Sequence, residues 1–504
     1  VVIAIVYYHP IVLNQLESFM RTARIIIASL FIVLMVFPTF SQQPEKYTDE
    51  ILNRDQMTED FRILYSSLIN YHPNPFQYTT NDEFESFFNK QMADFPDSLT
   101  SREFLLIARK LNLLLKCGHS FGIPSAEWYK SLKGKKVLLP FEITRAGGKI
   151  IVKNTTEDET EIAVNDELIS INNIPVETLL RKMSEIQERD GFTQAYLDDV
   201  ITRRFRTYYF FMFGVQDSIL VEYNNSGNEL RKVVVNLSNQ KLKPEPDKYW
   251  PAQLKIFEEN KWSKFAMDTV SGIAYLKISS FSDRKEYKKY YKTVFSEIEK
   301  QGCRNLIIDL RDNGGGYFHH GNRFLTYLSP EKFDFNFLRP RQKPDKNEHT
   351  SLGTVSKLTR FAFSLKPQKY KAVGKRTNTF SYKPKPLRFK NKVSVITNGI
   401  TFSTAALVSA QLKQDGATFY GTETGGAENG TNAMLINKLV LPNSGLQFNI
   451  PWYQVVSNST NENIGYGVKP DVEIRPGADI ARDNVMMEVM ERIRRENQSM
   501  LNGI

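Results

Sequence analysis

Two segments hold the residue types needed to form and stabilise a tetrahedral anion. Leu306 to Tyr317, LIIDLRDNGGGY, is an apolar strand that stops at Asp309 and runs into Gly314, Gly315 and Gly316. Without a Cβ, successive glycines turn the backbone sharply and present bare N–H groups. Ile396 to Leu412, ITNGITFSTAALVSAQL, is a second apolar strand, then a polar turn with Ser403, then a small-residue helix. A serine between strand and helix sits at the helix N-terminus, where free N–H groups favour negative charge. A nucleophile beside a pocket for an oxyanion is the apparatus of acyl transfer. Thr401 and Thr404 are further hydroxyls in the same turn, and simple helix capping is the structural alternative for Ser403.

The elements around these segments alternate. GIAYLKISSF from Gly272 reads as a strand, Arg284 to Lys300 as a helix, NLIIDL as a strand and His319 to Leu328 as a helix. VSVIT, a helix from Ser403 to Gln414 and ATFYG follow. Such alternation predicts an α/β layer with a largely parallel sheet. Met434 to Val440 and Gln447 to Pro451 flank LPNSG, a hairpin turn. Ahead of this layer, Val137 to about Leu237 is β-rich, with VLLPFEI, KIIVKN, DELISINN, SILVEYN and KVVVNL. Val164 to Val176 resembles the core segment of PDZ domains, which bind extended peptides along a sheet edge. Earlier still, Phe61, Leu64 and Leu68, then Phe104, Leu105, Ala108, Leu111 and Leu115, recur at helical spacing. His72-Pro73 and Asn74-Pro75 break the chain between them, and Ser101 is a candidate cap of the second run.

The chain has 504 residues, 41% hydrophobic and 24% charged, which suits two or three globular domains. Cys117 and Cys303 are its two cysteines, read as separate buried thiols. No spaced set of Cys and His suggests zinc, and no phosphate loop or dinucleotide fingerprint occurs, so neither metal nor cofactor is expected. The net charge of +10 is concentrated in residues 331–390, where sixteen Lys and Arg face four acidic side chains. No motif that reads RNA or DNA accompanies this stretch, so it is taken as a basic surface insertion and nucleic acid is not an expected partner. Met20 opens a segment with Arg21 and Arg24, an apolar run from Ile25 to Val36 and a small-residue exit at Pro38 to Ser41. That is the anatomy of a secretory signal peptide over residues 20–41, with residues 1–19 as an extension ahead of the native start. It predicts export to the periplasm, cell envelope or medium, with no stable membrane span after cleavage.

Four motifs in order, LIIDLRDNGGG, TFSTAA, YGTETGG and GYGVKPDVEI, resemble the S41 peptidases: the C-terminal processing (tail-specific) proteases and their tricorn-core relatives. The resemblance covers about Tyr47 to Ile474 and includes the lead-in LLKCGHSFGI. It implies an α/β catalytic domain of crotonase/ClpP-like type, an N-terminal helical segment and a PDZ-like β-rich domain. The expected boundaries are 45–130 for the helical domain, 137–240 for the PDZ-like domain and 250–480 for the catalytic domain, with a C-terminal helix over 481–504. It further implies serine-type peptidase activity on peptides or unfolded proteins, and homo-oligomers as in other members.

Carried onto this sequence, the resemblance makes Ser403 the nucleophile, activated by a base. The oxyanion hole falls to N–H groups of Thr404 and of the glycine loop, Gly315 before Gly314. The processing proteases take their base, a lysine, from a segment that here reads GTETGGAENG and has none; Lys438 lies in an apolar strand. The tricorn-like branch uses a histidine, matched by Gly118-His119-Ser120. His319 and His320 are the alternatives, whereas His72 precedes a proline and His349 lies in the basic stretch. The carboxylate that orients such a histidine is expected at Glu462, shortly before Gly467-Val468-Lys469-Pro470-Asp471, with Glu423 and Glu428 as rivals. Asp309 and Arg311 are expected to brace the glycine loop. Two other readings compete: a peptide-binding scaffold of the same fold without turnover, and a crotonase-like thioester enzyme, which the signal peptide argues against.

Overall fold

The structure, a computed structural model, describes residues 50–502 apart from 158–160, 245–248, 283–285, 341–347, 354–356, 360, 362, 364–373, 458–463 and 478. The expected signal peptide, the extension before it and Glu462 lie outside the described residues.

Three helices lead the chain: α1 (Arg54–Tyr71), α2 (Asn81–Ala93) and α3 (Ser101–Leu113). Each starts with a capping box, Asn53 with Gln56, Thr80 with Glu83 and Thr100 with Glu103, so the N–H groups of the cap and of the third helical residue are both satisfied at the helix N-terminus. The cap of α3 is Thr100; Ser101, the residue the sequence suggested, is the first helical position. The apolar faces of the three helices meet Leu439, Phe448 and Ile450 of a hairpin (Asn437–Val440 with Gln447–Ile450) that follows the Ser403 helix. Each such Leu or Phe withdrawn from water contributes about 1.5–3 kcal/mol. The helical lead-in is thereby fixed to the part of the molecule that bears Ser403.

The β-rich region contains β1 (Phe141–Ala146), β2 (Lys149–Thr155), β3 (Glu167–Ile171), β4 (Ser218–Asn224) and β5 (Leu230–Asn236), paired in that order. Helices α4 (Val176–Ser184), α5 (Gln194–Arg203) and α6 (Phe205–Phe213) interrupt it. Phe141, Val152, Leu168 and Val221 of the strands share one core with Tyr196, Val200 and Phe205 of the helices, and also with Ile400 and Phe402 of the Ser403 turn. The residue type that closes this shared core, phenylalanine, directly precedes Ser403.

The last region is a seven-stranded sheet in the order β6-β7-β8-β9-β12-β13-β16. Its strands are β6 (Lys255–Asn260), β7 (Ser263–Asp268), β8 (Ile273–Ile278), β9 (Asn305–Asp309), β12 (Lys392–Thr397), β13 (Thr418–Gly421) and β16 (Val472–Glu473). From β8 to β16 neighbours run parallel, and β9 is buried along its whole length. That burial is why it reads as a continuous apolar run rather than an alternating one. Helices α7 (Tyr287–Lys300), α8 (Phe318–Leu325) and α9 (Thr404–Gln414) pack on one face, and α10 (Asn484–Asn502) on the other.

Residues 331–390 are not only a surface insertion. They hold β10 (Phe333–Pro340) and β11 (Lys375–Tyr382), which form the sheet β11-β10-β15-β14 with β14 (Gly430–Ala433) and β15 (Tyr453–Val456). Phe333, Phe335 and Phe337 point into the core from alternate positions of β10. Cys117 and Cys303 are free and buried. Among the described residues no helix is long and apolar enough to cross a membrane.

Candidate active site

Register brings the two chemical segments together. Asp309 pairs with Ile396 across β9 and β12, so both strands end level and their following loops lie side by side at the carboxyl edge of the sheet. The loop after β9 is braced by a buried ion cluster. Arg311 grips Asp309 through Nε (3.0 Å) and Nη2 (2.7 Å) and Asp483 through Nη1 (2.8 Å) and Nη2 (2.6 Å), while Tyr275 donates to Asp309 Oδ2 at 2.7 Å. Burial alone would raise the Asp309 carboxyl, but Arg311 and Lys277 hold it well below the usual carboxylate range. This bracing is the role expected of Asp309 and Arg311.

The loop after β12 is a strained strand-to-helix turn. Ser403 has φ 53° and ψ −124°, left-handed geometry that a side chain adopts only when its surroundings impose it. Phe402 N–H donates to Asn313 O (3.0 Å), Gly425 and Gly426 N–H donate to Thr401 O (3.0 and 3.2 Å), and Thr401 Oγ1 donates to Leu310 O (2.9 Å). Thr404 Oγ1 donates to Gly316 O at 2.8 Å. The two rival hydroxyls are therefore engaged with backbone, and Ser403 makes no side-chain capping bond.

Ser403 Oγ instead lies 2.9 Å from His119 Nε2. His119 follows α3 and the turn Lys116–Gly118, and its ring stacks on Phe402 with centroids 4.9 Å apart. Tyr196 of α5 also stacks on the Phe402 ring, with centroids 4.8 Å apart. A Cβ on Gly118 would come within 2.6 Å of the Phe402 ring, so glycine is what lets the base-bearing turn approach the serine-bearing one. The other histidines are held elsewhere. His320 Nδ1 meets Phe281 O at 2.9 Å and its ring stacks on Tyr287, His319 is exposed, and His349 lies 3.6 Å from Glu348. His72 is enclosed at the end of α1, where burial pushes it down to about 3. Lys438 is exposed.

On its far side His119 Nδ1 lies 3.2 Å from Thr431 Oγ1, which in turn lies 2.7 Å from Asp190 Oδ2. Asp190 Oδ1 accepts the Gly118 N–H at 2.8 Å. A hydroxyl carries one proton and a carboxylate only accepts. Thr431 therefore donates to Asp190 and accepts from Nδ1–H, which leaves Nε2 as the basic nitrogen facing Ser403. Burial lowers the His119 pKa from its ordinary value and Asp190 opposes the shift. Burial also raises the Asp190 carboxyl, against the pull of His119, Thr431 and the Gly118 N–H. Among the described residues His119 bonds neither Glu423 nor Glu428. Glu423 accepts the Gly467 N–H at 2.7 Å, and the Glu428 N–H donates to Tyr466 O at 2.8 Å.

The glycine loop differs from expectation at one atom. The Gly315 N–H donates to Asn313 Oδ1 at 2.9 Å, so it is engaged inside the loop and not aimed at the serine. What Gly315 provides is space: a Cβ there would stand 2.8 Å from Ser403 Cβ and 2.9 Å from Thr404 N. Thr404 N–H, at the first position of α9, has no partner within the helix. Gly314 and Gly316 flank the engaged residue and are exposed, and the Gly316 carbonyl already faces Thr404.

Asp190 and Thr431 were not among the residues the sequence singled out. Asp190 sits between α4 and α5, about seventy positions from His119, with only an Asp-Gly turn as local signal. Thr431 is an ordinary strand residue of β14.

Comparison with known proteins agrees with this architecture. The sequence profile of Peptidase family S41 matches residues 272–474, and that of the PDZ domain matches residues 135–245. No curated protein matches the chain. Among solved structures, mature CPAF complexed with lactacystin superposes with a TM-score of 0.65 at 14% identity, covering 90% of this chain and 99% of that one. Mature CPAF alone gives 0.59 at 13% identity, covering 89% and 98%. At such identity the likeness is one of fold, and it spans the helical lead-in as well as both matched domains. The chain thus carries the serine-type peptidase domain of family S41, preceded by a PDZ domain.

Proposed function

We propose that the protein is an exported serine endopeptidase that hydrolyses peptide bonds through an acyl-enzyme, with Ser403 as nucleophile and His119 as base. The observation that carries this reading is the 2.9 Å contact between Ser403 Oγ and His119 Nε2, on the nitrogen left unprotonated by the Thr431 contact. In the first step Nε2 takes the hydroxyl proton while Oγ bonds to the peptide carbonyl carbon. The oxyanion forms in the space kept open by Gly315, beside the Thr404 N–H and the unengaged glycine-loop N–H groups. A single such donor contributes about 3 kcal/mol to the transition state. Nε2–H then protonates the departing amine and the C–N bond breaks; water, deprotonated by His119, attacks the acyl carbon, the Oγ–C bond breaks, and Nε2–H returns the proton to Ser403 Oγ. Export rests on the charged start, apolar run and small-residue exit of residues 20–41.

A fluorophosphonate probe tests the reading. Folded protein should become labelled, and Ser403→Ala should abolish both labelling and peptide hydrolysis, a loss of roughly a millionfold in kcat for a serine peptidase of this logic. His119→Ala should fall comparably, while Lys438→Ala stays active. Folded protein that is never labelled would support the scaffold reading instead.

A further inference from the structure

We infer that the PDZ domain supplies the carboxylate of the active site: Asp190, acting through the Thr431 hydroxyl, positions and polarises His119. The inference rests on His119 being the base. Among the described residues no carboxylate bonds the imidazole directly; the hydroxyl is interposed, and three elements from three parts of the chain meet at it. His119 comes from the end of the helical lead-in, Thr431 from β14 and Asp190 from the connection between α4 and α5.

The connection is fixed tightly enough for this task. Asp190 is 3% exposed and Thr431 6%. Glu188, two residues earlier, is clamped by Arg109 of α3 through Nε (3.1 Å) and Nη2 (2.6 Å). Gly191 N–H donates to Lys116 O at 2.8 Å and Phe192 N–H to Gly465 O at 2.7 Å. Thr193 Oγ1 donates to Gly425 O at 3.0 Å, in the segment that also holds the Ser403 turn. With both oxygens of Asp190 occupied, by Gly118 N–H and by Thr431, the hydroxyl proton has one low-energy direction and Thr431 can only accept from Nδ1–H. Charge that develops on the imidazolium during proton transfer is then stabilised along a relay of two hydrogen bonds. Among the described residues Asp190 is the charged group facing His119; Cys117 and Tyr78 face Asp190 from the lead-in and Tyr196 from α5, and Glu188 is neutralised by Arg109.

Asp190 and Thr431 are positioning residues, so the test needs a readout that mere packing would not move. Thr431→Val keeps the shape and removes the hydroxyl. It should lower kcat about 10- to 100-fold with little change in KM, and Thr431→Ser should restore most of the rate. Asp190→Asn keeps an acceptor for Gly118 N–H but removes the charge that raises the His119 pKa. The acid limb of its kcat/KM profile should therefore move to lower pH than in the parent enzyme. Unchanged kcat in Thr431→Val together with an unmoved acid limb in Asp190→Asn, in an enzyme that Ser403→Ala still silences, would overturn the relay while leaving the peptidase reading intact. A shift produced by Glu462→Gln and not by Asp190→Asn would overturn it equally. Loss of probe labelling from the parent protein itself would instead remove the reading on which the relay rests.

Discussion

Asp199 of α5 is a buried carboxyl whose titration should be visible in the stability of the whole molecule. Its Oδ2 accepts the Gly399 N–H at 2.8 Å, in the turn that leads to Ser403. Burial pushes it up to about 7; the Gly399 bond and Arg475 oppose, and Asp312 and Asp198 reinforce the rise. Arg203, on the same helix, is paired with Asp312 at 3.4 Å and does not bond Asp199. An acid whose folded pKa is raised binds its proton more tightly in the native state. Its stabilising contribution is complete below the unfolded pKa of about 4 and is lost as pH rises through about 7. From pH 5 to 7 the loss spans about two units, and at 1.36 kcal/mol per unit that is about 2–3 kcal/mol. Asp199→Asn keeps an oxygen for Gly399 and does not ionise. Chemical denaturation followed by tryptophan fluorescence at pH 5, 6, 7 and 8 should show the variant gaining on the parent by about that amount across the range. Taking the difference between the two proteins cancels other titrating groups, including His72, whose lowered pKa works in the opposite direction. If the two stability curves run parallel from pH 5 to 8, the ionisation of Asp199 is not coupled to folding and the argument fails.

Gly315→Ala places a methyl carbon 2.8 Å from Ser403 Cβ and 2.9 Å from both Phe402 O and Thr404 N, at a φ of 100°, so the serine turn must shift to admit it. Probe labelling should fall by about 100-fold or more, the scale of a lost oxyanion donor, with circular dichroism unchanged. Arg109→Ala should cost about 3–5 kcal/mol by leaving Glu188 charged and unpaired in the interior. Thermal melts should show that Arg109→Met combined with Glu188→Leu recovers most of that loss.

The alternation of strand and helix was readable because each element of the parallel sheet declares itself locally, as in the buried run Leu306 to Asp309 and the small-residue helix after Ser403. The strained turn at Ser403 was equally local: a strand, a polar residue and a helix start in succession. Other features escaped for physical reasons. The helix Asn81–Ala93 buries little beyond Phe84, so its apolar period is faint. Phe333, Phe335 and Phe337 do alternate, but the surrounding lysines and prolines concealed a buried strand within a stretch whose charge suggested exposure. Asp190 could not be read at all, because what defines its surroundings is the packing of the PDZ domain against the end of α3, not anything near it in sequence. The nearness of His119 to Ser403 was accessible only through the family resemblance; no periodicity links two residues separated by an entire β domain.

The core that Ile400 and Phe402 share with the PDZ strands sets a limit on rearranging this chain. An engineer who excised residues 137–240 to obtain a smaller hydrolase would strip the Phe402 ring of Tyr196 and expose the apolar underside of the serine turn to water. The left-handed Ser403 backbone, held by its neighbours against its own preference, would then relax. Here the middle module is not an accessory that can be exchanged like a cartridge; the scissors and the handle are cut from the same piece.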